Sequence, residues 1–499
     1  MTTSLPEYLR RLNDVRAEVP VLEHDGDWVT WGELRDIGRT VTAELDRLGL
    51  GEGARVGVVL GNWPGSVALV QTVLATGRCL TAFNPLQPAE RLSADVRRAA
   101  PPVLFAPARF WEHEEMRSAA AETGTLAYAS EGSTIRPVDL PAAGPAEPVH
   151  RAKGVAVELT TSGTTGPPKR IPLTYRQLEA ALGSADGHMA AGKQPRPPFT
   201  GGVALVTTPM VHIGGLWAVL QSLVEARRMV LMEKFTVAGW QTAIREHRPR
   251  IAGLPPAAMR GVLDADVPAD DLSSLRAVTA GTAPVSPELA DEFHERYGIP
   301  VLVVYGATEF SGAVAGWSLR DHQMWWTRKR GSVGRPFPGV ELRVIAEDGA
   351  PLPAAQSGLL EIRTPQAGRT GWTRTSDLAR IDQDGFLWIE GRADDVIIRG
   401  GFKVMPSTVV AALQRHPAVA EAAVAGLPDA RLGQVPVAAF ELRPGASAPG
   451  EDELRAWCRR ELLPYEVPVR FLPVRALPRG VSQKVSRPDL VALFEQAPA

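Results

Sequence analysis

The sequence predicts an α/β protein: a large N-terminal domain of βα-layered subdomains with a β-rich segment, followed by a small C-terminal α+β domain. Three observations carry this expectation. Short apolar runs at 55–60, 229–232, 251–254, 277–280 and 301–304 alternate with helical stretches such as 287–297, the rhythm of a sheet covered on both faces. From about residue 340 the texture changes to short strands and hairpins, including 341–345 and the pair flanking Asp382-Gln383-Asp384-Gly385. Gly391-Arg392-Ala393-Asp394-Asp395 then reads as a boundary, with strands at 396–399 and 435–442 and helices at 407–414 and 452–462 beyond it. The expected domains are 1–392 and 395–499.

In chain order, Thr30 with Glu33 three positions on is a capping box for a helix running towards Leu48, followed by the strand 55–60 and a helix through Gln71. Gly49-x-Gly51-x-x-Ala54 fits a dinucleotide fingerprint superficially. It precedes a strand instead of following one, so it is set aside. Residues 142–153 are Pro/Ala/Gly-rich and read as an exposed connection into the strand 155–159. Thr174 with Gln177 is a second capping box, opening a helix at 175–181. Residues 199–224 contain no Asp, Glu, Lys or Arg and could span a bilayer in length. Thr207, Thr208, Pro209, His212, Gly214 and Gly215 interrupt them, so the expectation is a buried strand, a polar loop and a buried helix.

Composition narrows the function. With 499 residues there is about three domains' worth of chain. Lys and Arg number 54 against 56 Asp and Glu, a net charge of −2, so no basic surface invites nucleic acid and small-molecule chemistry is the default. Cys79 and Cys458 lie far apart without metal or disulfide spacing, which fits a reducing, cytoplasmic setting. Residues 1–7 lack the basic and apolar regions of a signal peptide. No transmembrane segment is expected.

Residues 160–169, Thr-Thr-Ser-Gly-Thr-Thr-Gly-Pro-Pro-Lys, have the chemistry to hold phosphate. Gly163 and Gly166 let the backbone aim successive N–H groups into one concavity, Thr161, Ser162, Thr164 and Thr165 add hydroxyls, and Lys169 adds a positive charge. A flexible linker would lack the two prolines and the lysine, and no Walker pattern occurs in the chain. Tyr305-Gly306-Ala307-Thr308-Glu309 directly follows the run 301–304, placing an aromatic ring, a hydroxyl and a carboxylate at a strand's C-terminal end, where open α/β sheets bind ligands. A carboxylate there suits Mg²⁺ at phosphates. Asp377, within Thr375-Ser376-Asp377-Leu378-Ala379, is by itself equally readable as a turn aspartate.

Taken together these strings resemble, in order, the motifs of the adenylate-forming superfamily, which contains acyl- and aryl-CoA synthetases, nonribosomal peptide adenylation domains and beetle luciferases. The resemblance spans residues 28–487, and its acyl-CoA ligase branch fits best. It implies ATP-phosphate contacts for Thr161 to Gly166 and Lys169, with Thr161 a further metal contact. Gly281, Thr282 and Ala283 are similar to the adenine-side loop, and Tyr305 to the stacking aromatic. Thr308 would touch phosphate and Glu309 would hold magnesium. Asp377 and Arg392 would bind the ribose, with serine at 376 where the family usually has glycine, and Asp394 would be the hinge that makes the small C-terminal domain mobile. Gly400 and Gly401 resemble the turn lining the pantetheine tunnel, although Thr408 and Val410 stand where glutamates are usual. Pro478-Arg479-Gly480-Val481-Ser482-Gln483-Lys484 resembles the motif delivering the catalytic lysine, Lys484, with Gln483 replacing glycine.

The implied reaction is ATP-dependent formation of an acyl-adenylate, then of acyl-CoA, with ATP, Mg²⁺ and coenzyme A required. Acyl recognition would fall to 210–217, 281–283 and Ser311-Gly312, with His212 as a gate. Val211-His212 offers no acid to pair a substrate amine, so a hydrophobic fatty, aryl or polycyclic acid is expected. The alternative is a ligase that loads a carrier protein. A luciferase-type oxygenase shares these motifs, whereas a catalytically dead relative would have lost Lys484 or Glu309. A homodimer is left open.

Overall fold

The computed structural model describes residues 4–131, 134–140, 152–161, 169–189, 197–480 and 484–496. Among them, five sheets form. The largest has seven strands, in the order Thr134–Pro137, Leu126–Glu131, Val103–Pro107, Arg55–Val59, Cys79–Phe83, Val155–Thr161 and Lys169–Thr174. Its five inner strands run parallel and its two edges are antiparallel hairpin returns. Cys79–Phe83 is buried along its whole length, as a strand covered on both faces should be. A second sheet orders Ile251–Gly253, Ala277–Ala280, Val301–Ala307, Gly312–Gly316 and Arg335–Pro336, the first three parallel. Ala204–Val206 and Met229–Leu231 join Pro20–His24 and Asp27–Thr30 in a third.

The β-rich segment is an antiparallel meander of Glu341–Ile345, Gly358–Arg363, Thr373–Ile381 and Leu387–Arg392. Beyond it, Val419–Asp429 and Gly433–Leu442 form the long hairpin of a small α+β unit with its own buried clusters, built from residues between Ile397 and Phe494. Among the described residues no helix is long and apolar enough to cross a membrane. The uncharged run 199–224 resolves into the strand Ala204–Val206, a loop, and the largely buried helix Ile213–Val224.

Both capping boxes form. Thr30 accepts from Glu33 N while Glu33 returns a carboxylate to Thr30 N at 2.7 Å, and Thr174 N donates to Gln177 Oε1 at 2.9 Å. Other elements depart from the expected bounds. The helix at Tyr175 runs to Met189, and the helix expected at 452–462 is Glu451–Cys458, the chain turning ahead of Pro464. The expected strand–loop–helix order at 155–175 has an extra strand in it: Lys169–Thr174 returns antiparallel to Val155–Thr161, with Thr161 paired to Lys169. Alternation of Arg170, Ile171, Pro172 and Leu173 between sheet faces, with Leu173 fully buried, drives that return.

Candidate active site

Three segment ends come together. The first is the hairpin Val155–Thr161/Lys169–Thr174. Its tip, with Ser162, Gly163, Thr164, Thr165 and Gly166, lies outside the described residues, as does the side chain of Thr161; Lys169 is exposed at the tip's far foot. Charge pairs brace the hairpin from behind. Arg55 donates to Glu158 at 2.8 Å, Thr81 Oγ1 to the other oxygen of Glu158 at 3.0 Å, and Arg170 to Asp95 at 2.9 Å and to the Ala82 carbonyl at 3.0 Å. Glu158 and Asp95 are buried, and each is matched by a guanidinium, which is what makes such charges tolerable.

The second end is the strand Val301–Ala307. It extends through Tyr305, Gly306 and Ala307, three residues further than the apolar run alone indicated, because the return strand Gly312–Gly316 pairs with it. Gly306 is required by that pairing: a Cβ there would lie 2.1 Å from the Gly312 carbonyl oxygen. Thr308–Phe310 is one 3₁₀ turn, with Phe310 buried and Glu309 exposed at its apex. This turn packs beside the strand Lys169–Thr174, bringing Glu309 to the phosphate-hairpin side. An exposed carboxylate is an oxygen donor of the kind Mg²⁺ takes.

The third end is the meander. Asp377 lies within the strand Thr373–Ile381, paired to Arg392 in register, so it is not a turn residue. Its backbone N–H donates to Thr375 Oγ1 at 3.1 Å, and its carboxylate accepts from the Tyr305 hydroxyl. Tyr305 thus joins the second and third ends directly. Burial, then the neighbouring Asp377 charge, pushes the Tyr305 hydroxyl well above the ordinary phenol range, so it remains a donor. Arg392 makes a bidentate pair with Asp394 at 2.8 and 2.7 Å, which raises the Arg392 pKa and lowers that of Asp394. Burial, reinforced by Asp394, raises Asp395.

Beside these ends lies an apolar wall. His212 is the N-cap residue of the helix Ile213–Val224, and one face of that helix presents Gly214 and Trp217. A Cβ on Gly214 would stand 3.6 Å from Thr282 Cγ2, and one on Gly312 would stand 3.5 Å from the Trp217 ring. Gly281, Thr282 and Ala283 follow the strand Ala277–Ala280, and Thr282 holds a positive φ of 68°. The loop before His212 is pinned by Asn62, which donates to the Thr208 and Met232 carbonyls at 3.1 and 2.9 Å and accepts from Met210 N at 2.8 Å. Asn62 is 3% exposed and carries no motif, so only the fold reveals it.

Lys484 and the Gly400-Gly401 turn sit on the small domain. Lys484 is exposed, and its carbonyl accepts from Gly480 N at 2.8 Å. Gly400 and Gly401 have φ of 57° and 88°, the left-handed turn of the hairpin Ile397–Arg399/Phe402–Val404. Arg487, three residues past Lys484, donates to the Asp394 carbonyl at 3.0 Å and to Asp395 at 3.2 Å, while Ser407 donates to the Glu390 carbonyl at 2.5 Å. The hydrogen bonds and ion pairs of the described residues therefore link Tyr305, Asp377, Arg392 and Asp394 to the small domain through Arg487, without carrying Lys484 itself to Glu309.

Known proteins align with this arrangement. Residues 9–371 match the family model of the AMP-binding enzyme, and residues 409–484 that of the AMP-binding enzyme C-terminal domain. The sulfoacetate–CoA ligase of Cupriavidus necator is 31% identical over 491 residues, covering 93% of this chain and 92% of that protein. The 2-succinylbenzoate–CoA ligase of Bacillus velezensis is 30% identical over 504 residues, covering 98% of each. The O-succinylbenzoate coenzyme A synthetase of Bacillus subtilis, solved in complex with ATP and magnesium ion, superposes with a TM-score of 0.78 at 25% identity, over 97% of this chain and 98% of that one.

Proposed function

The chain belongs to the AMP-binding enzyme family, and from that premise we propose that it is an ATP-dependent acyl-CoA ligase for a hydrophobic carboxylic acid. The observation that carries the reading is the junction at Tyr305: one side chain ties the turn bearing Glu309 to Asp377 and so to the Arg392–Asp394 pair. That junction supports a nucleotide lying with its phosphates at the Glu309 turn and its ribose at Asp377.

In the first step an oxygen of the substrate carboxylate attacks the α-phosphorus of ATP, and the bond to the β-phosphate oxygen breaks, leaving acyl-adenylate and pyrophosphate. The carboxylate is already ionised at neutral pH, so no general base is needed. The difficulty is negative charge gathering around the α-phosphate, and preorganised positive groups lower that barrier. Magnesium, when bound, neutralises phosphate charge; Glu309, with Thr161 as a further contact, would hold it, while Thr308 would touch phosphate. Lys169 and the hydroxyl-rich tip orient the phosphates, Gly281 to Ala283 and Tyr305 flank the base, and Asp377 and Arg392 take the ribose hydroxyls. Lys484 stabilises the developing charge.

In the second step the thiolate of coenzyme A attacks the acyl carbon, the bond to the AMP oxygen breaks, and AMP leaves. The small domain turns about Asp394 between the steps, withdrawing Lys484 and presenting the Gly400-Gly401 turn. His212, at the mouth of the helix Ile213–Val224, separates acid from thiol. The apolar Trp217, Gly214 and Gly312 surfaces support an uncharged acyl chain or ring. The direct test is pyrophosphate and AMP release from ATP, assayed over fatty, aryl and polycyclic acids with and without coenzyme A. Release requires acid and Mg²⁺, and acid-independent hydrolysis as the main activity would overturn the reading.

A further inference from the structure

The backbone leaves ordinary territory immediately after the Glu309 turn. Ser311 has φ 56° although it is not glycine and is fully buried, and Gly312 follows at φ 135°. A left-handed non-glycine residue persists only where its surroundings over-determine it. The group that does so is Gln366, 1% exposed, on the 3₁₀ turn Pro365–Ala367 that Thr364 caps.

With its amide nitrogen facing them, Gln366 donates to the Phe310 carbonyl at 2.9 Å and the Ala313 carbonyl at 3.2 Å, while its amide oxygen lies 3.2 Å from Ser184 Oγ. The opposite orientation sets three acceptors against one another, so the partners assign this one. The two carbonyls stand on either side of Ser311 and Gly312, so one amide clamps both ends of the kink. The backbone carbonyl of Gln366 accepts from Ser311 Oγ at 3.4 Å and from Gln177 Nε2 at 3.1 Å. Gln177 Oε1 in turn accepts from Thr174 N at 2.9 Å, at the end of the strand that begins with Lys169. A continuous polar path therefore runs from behind the phosphate hairpin, through Gln177 and Gln366, to the turn that carries Glu309.

We propose that Gln366 is a positioning residue that fixes the Glu309 turn relative to the phosphate hairpin; this rests on Glu309 being the magnesium ligand. It touches neither substrate nor metal. A buried hydrogen-bond network rigidifies what it connects, and losing the amide removes a donor from both carbonyls at once. Hydrogen-bond partners of ligating groups are worth about 10–100-fold in metal affinity or activity, and Gln366, which grips the backbone beside Glu309 instead of its carboxylate, is expected at the lower end of that range.

The test is the Mg²⁺ concentration that half-saturates ATP binding, read by titration calorimetry with no acid present, alongside the concentration giving half-maximal acid-dependent pyrophosphate release at fixed ATP. Gln366→Met keeps the length of the side chain and removes the donor; it is expected to raise both concentrations about tenfold. Ser184→Ala, which leaves both carbonyl contacts intact, is expected to stay within twofold of the parent. Should Gln366→Met fail to fold, Gln366→Asn, one methylene too short to reach both carbonyls, carries the same expectation. A folded Gln366 variant with the parent's Mg²⁺ dependence, or an equal shift from Ser184→Ala, overturns the proposal. Glu309→Gln separates the two layers. If it leaves Mg²⁺ dependence unchanged, the metal assignment and the proposal both fall; if it shifts and the Gln366 variants do not, only the proposal falls.

Discussion

Glu309 is exposed at the apex of a single turn, so its side chain contributes little to folding and can be judged by its chemistry alone. Glu309→Ala is expected to lower acid-dependent pyrophosphate release on the order of 10²-fold or more while its melting temperature stays close to the parent's, a combination read by pairing the assay with a thermal melt. Tyr305 is the opposite case, half-buried and bonded to Asp377. Tyr305→Phe removes one bond to a charged acceptor, for which about 1.5–3 kcal/mol is usual, and should raise the KM for ATP more than it lowers kcat. An unchanged KM would place the ribose elsewhere.

At the scale of elements, the helix Ile213–Val224 separates two glycines that look equivalent in the sequence. Gly215 faces backbone, where a Cβ would come within 2.3 Å of the Pro209 carbonyl oxygen, so Gly215→Ala overpacks the core by about 1–3 kcal/mol and is not a probe of acid size. Gly312 has space but a φ of 135°, which strains any replacement. Trp217 is the informative position: Trp217→Ala is expected to shift preference towards longer or bulkier acids, and equal losses for all acids would remove it from the acyl wall. A second element responds to pH. His322, on the helix Leu319–Trp325, stacks on Trp326 at 4.9 Å; burial first, then neighbouring His294, lowers it from 6.5 to about 4, against a weaker pull from Asp291. The unfolded chain takes a proton near 6.5 that the folded one refuses until about 4. Stability is therefore full above 6.5 and falls towards 4 by about 3 kcal/mol at most. Melts of the parent and His322→Phe across that window should diverge.

What the sequence revealed at this scale followed from local chemistry. The capping boxes at Thr30 and Thr174, the parallel strands and the hairpin at Asp382–Gly385 are each written in residues close together in the chain. The misreadings had tertiary causes. The strand Lys169–Thr174 exists because it pairs with Val155–Thr161, and Tyr305 belongs to a strand because Gly312–Gly316 returns beside it. Asn62 and Gln366 lie 148 and 55 positions from partners they hold, Met210 and Ser311, and no motif marks either one.

Over the whole molecule, the proposed mechanism has one small domain serve one site in two orientations. The contacts at its base are consistent with a pivot: Arg392 grips Asp394, and Arg487, three residues beyond Lys484, grips Asp395 and the Asp394 carbonyl. Asp394→Pro fixes φ there and is expected to spare adenylation and impair thioester formation. Because it also frees Arg392 from its carboxylate partner, Asp394→Ala, which removes the same carboxylate without fixing φ, is the control for that loss.

The most direct measurement is of the two half-reactions of Lys484→Ala, with adenylation followed by pyrophosphate release and thioester formation followed from supplied acyl-adenylate and coenzyme A. The account predicts adenylation slowed on the order of 10²–10³-fold, the usual cost of removing one preorganised charge-stabilising group, with conversion of the adenylate to acyl-CoA nearly unchanged. Parallel losses in both half-reactions would contradict it.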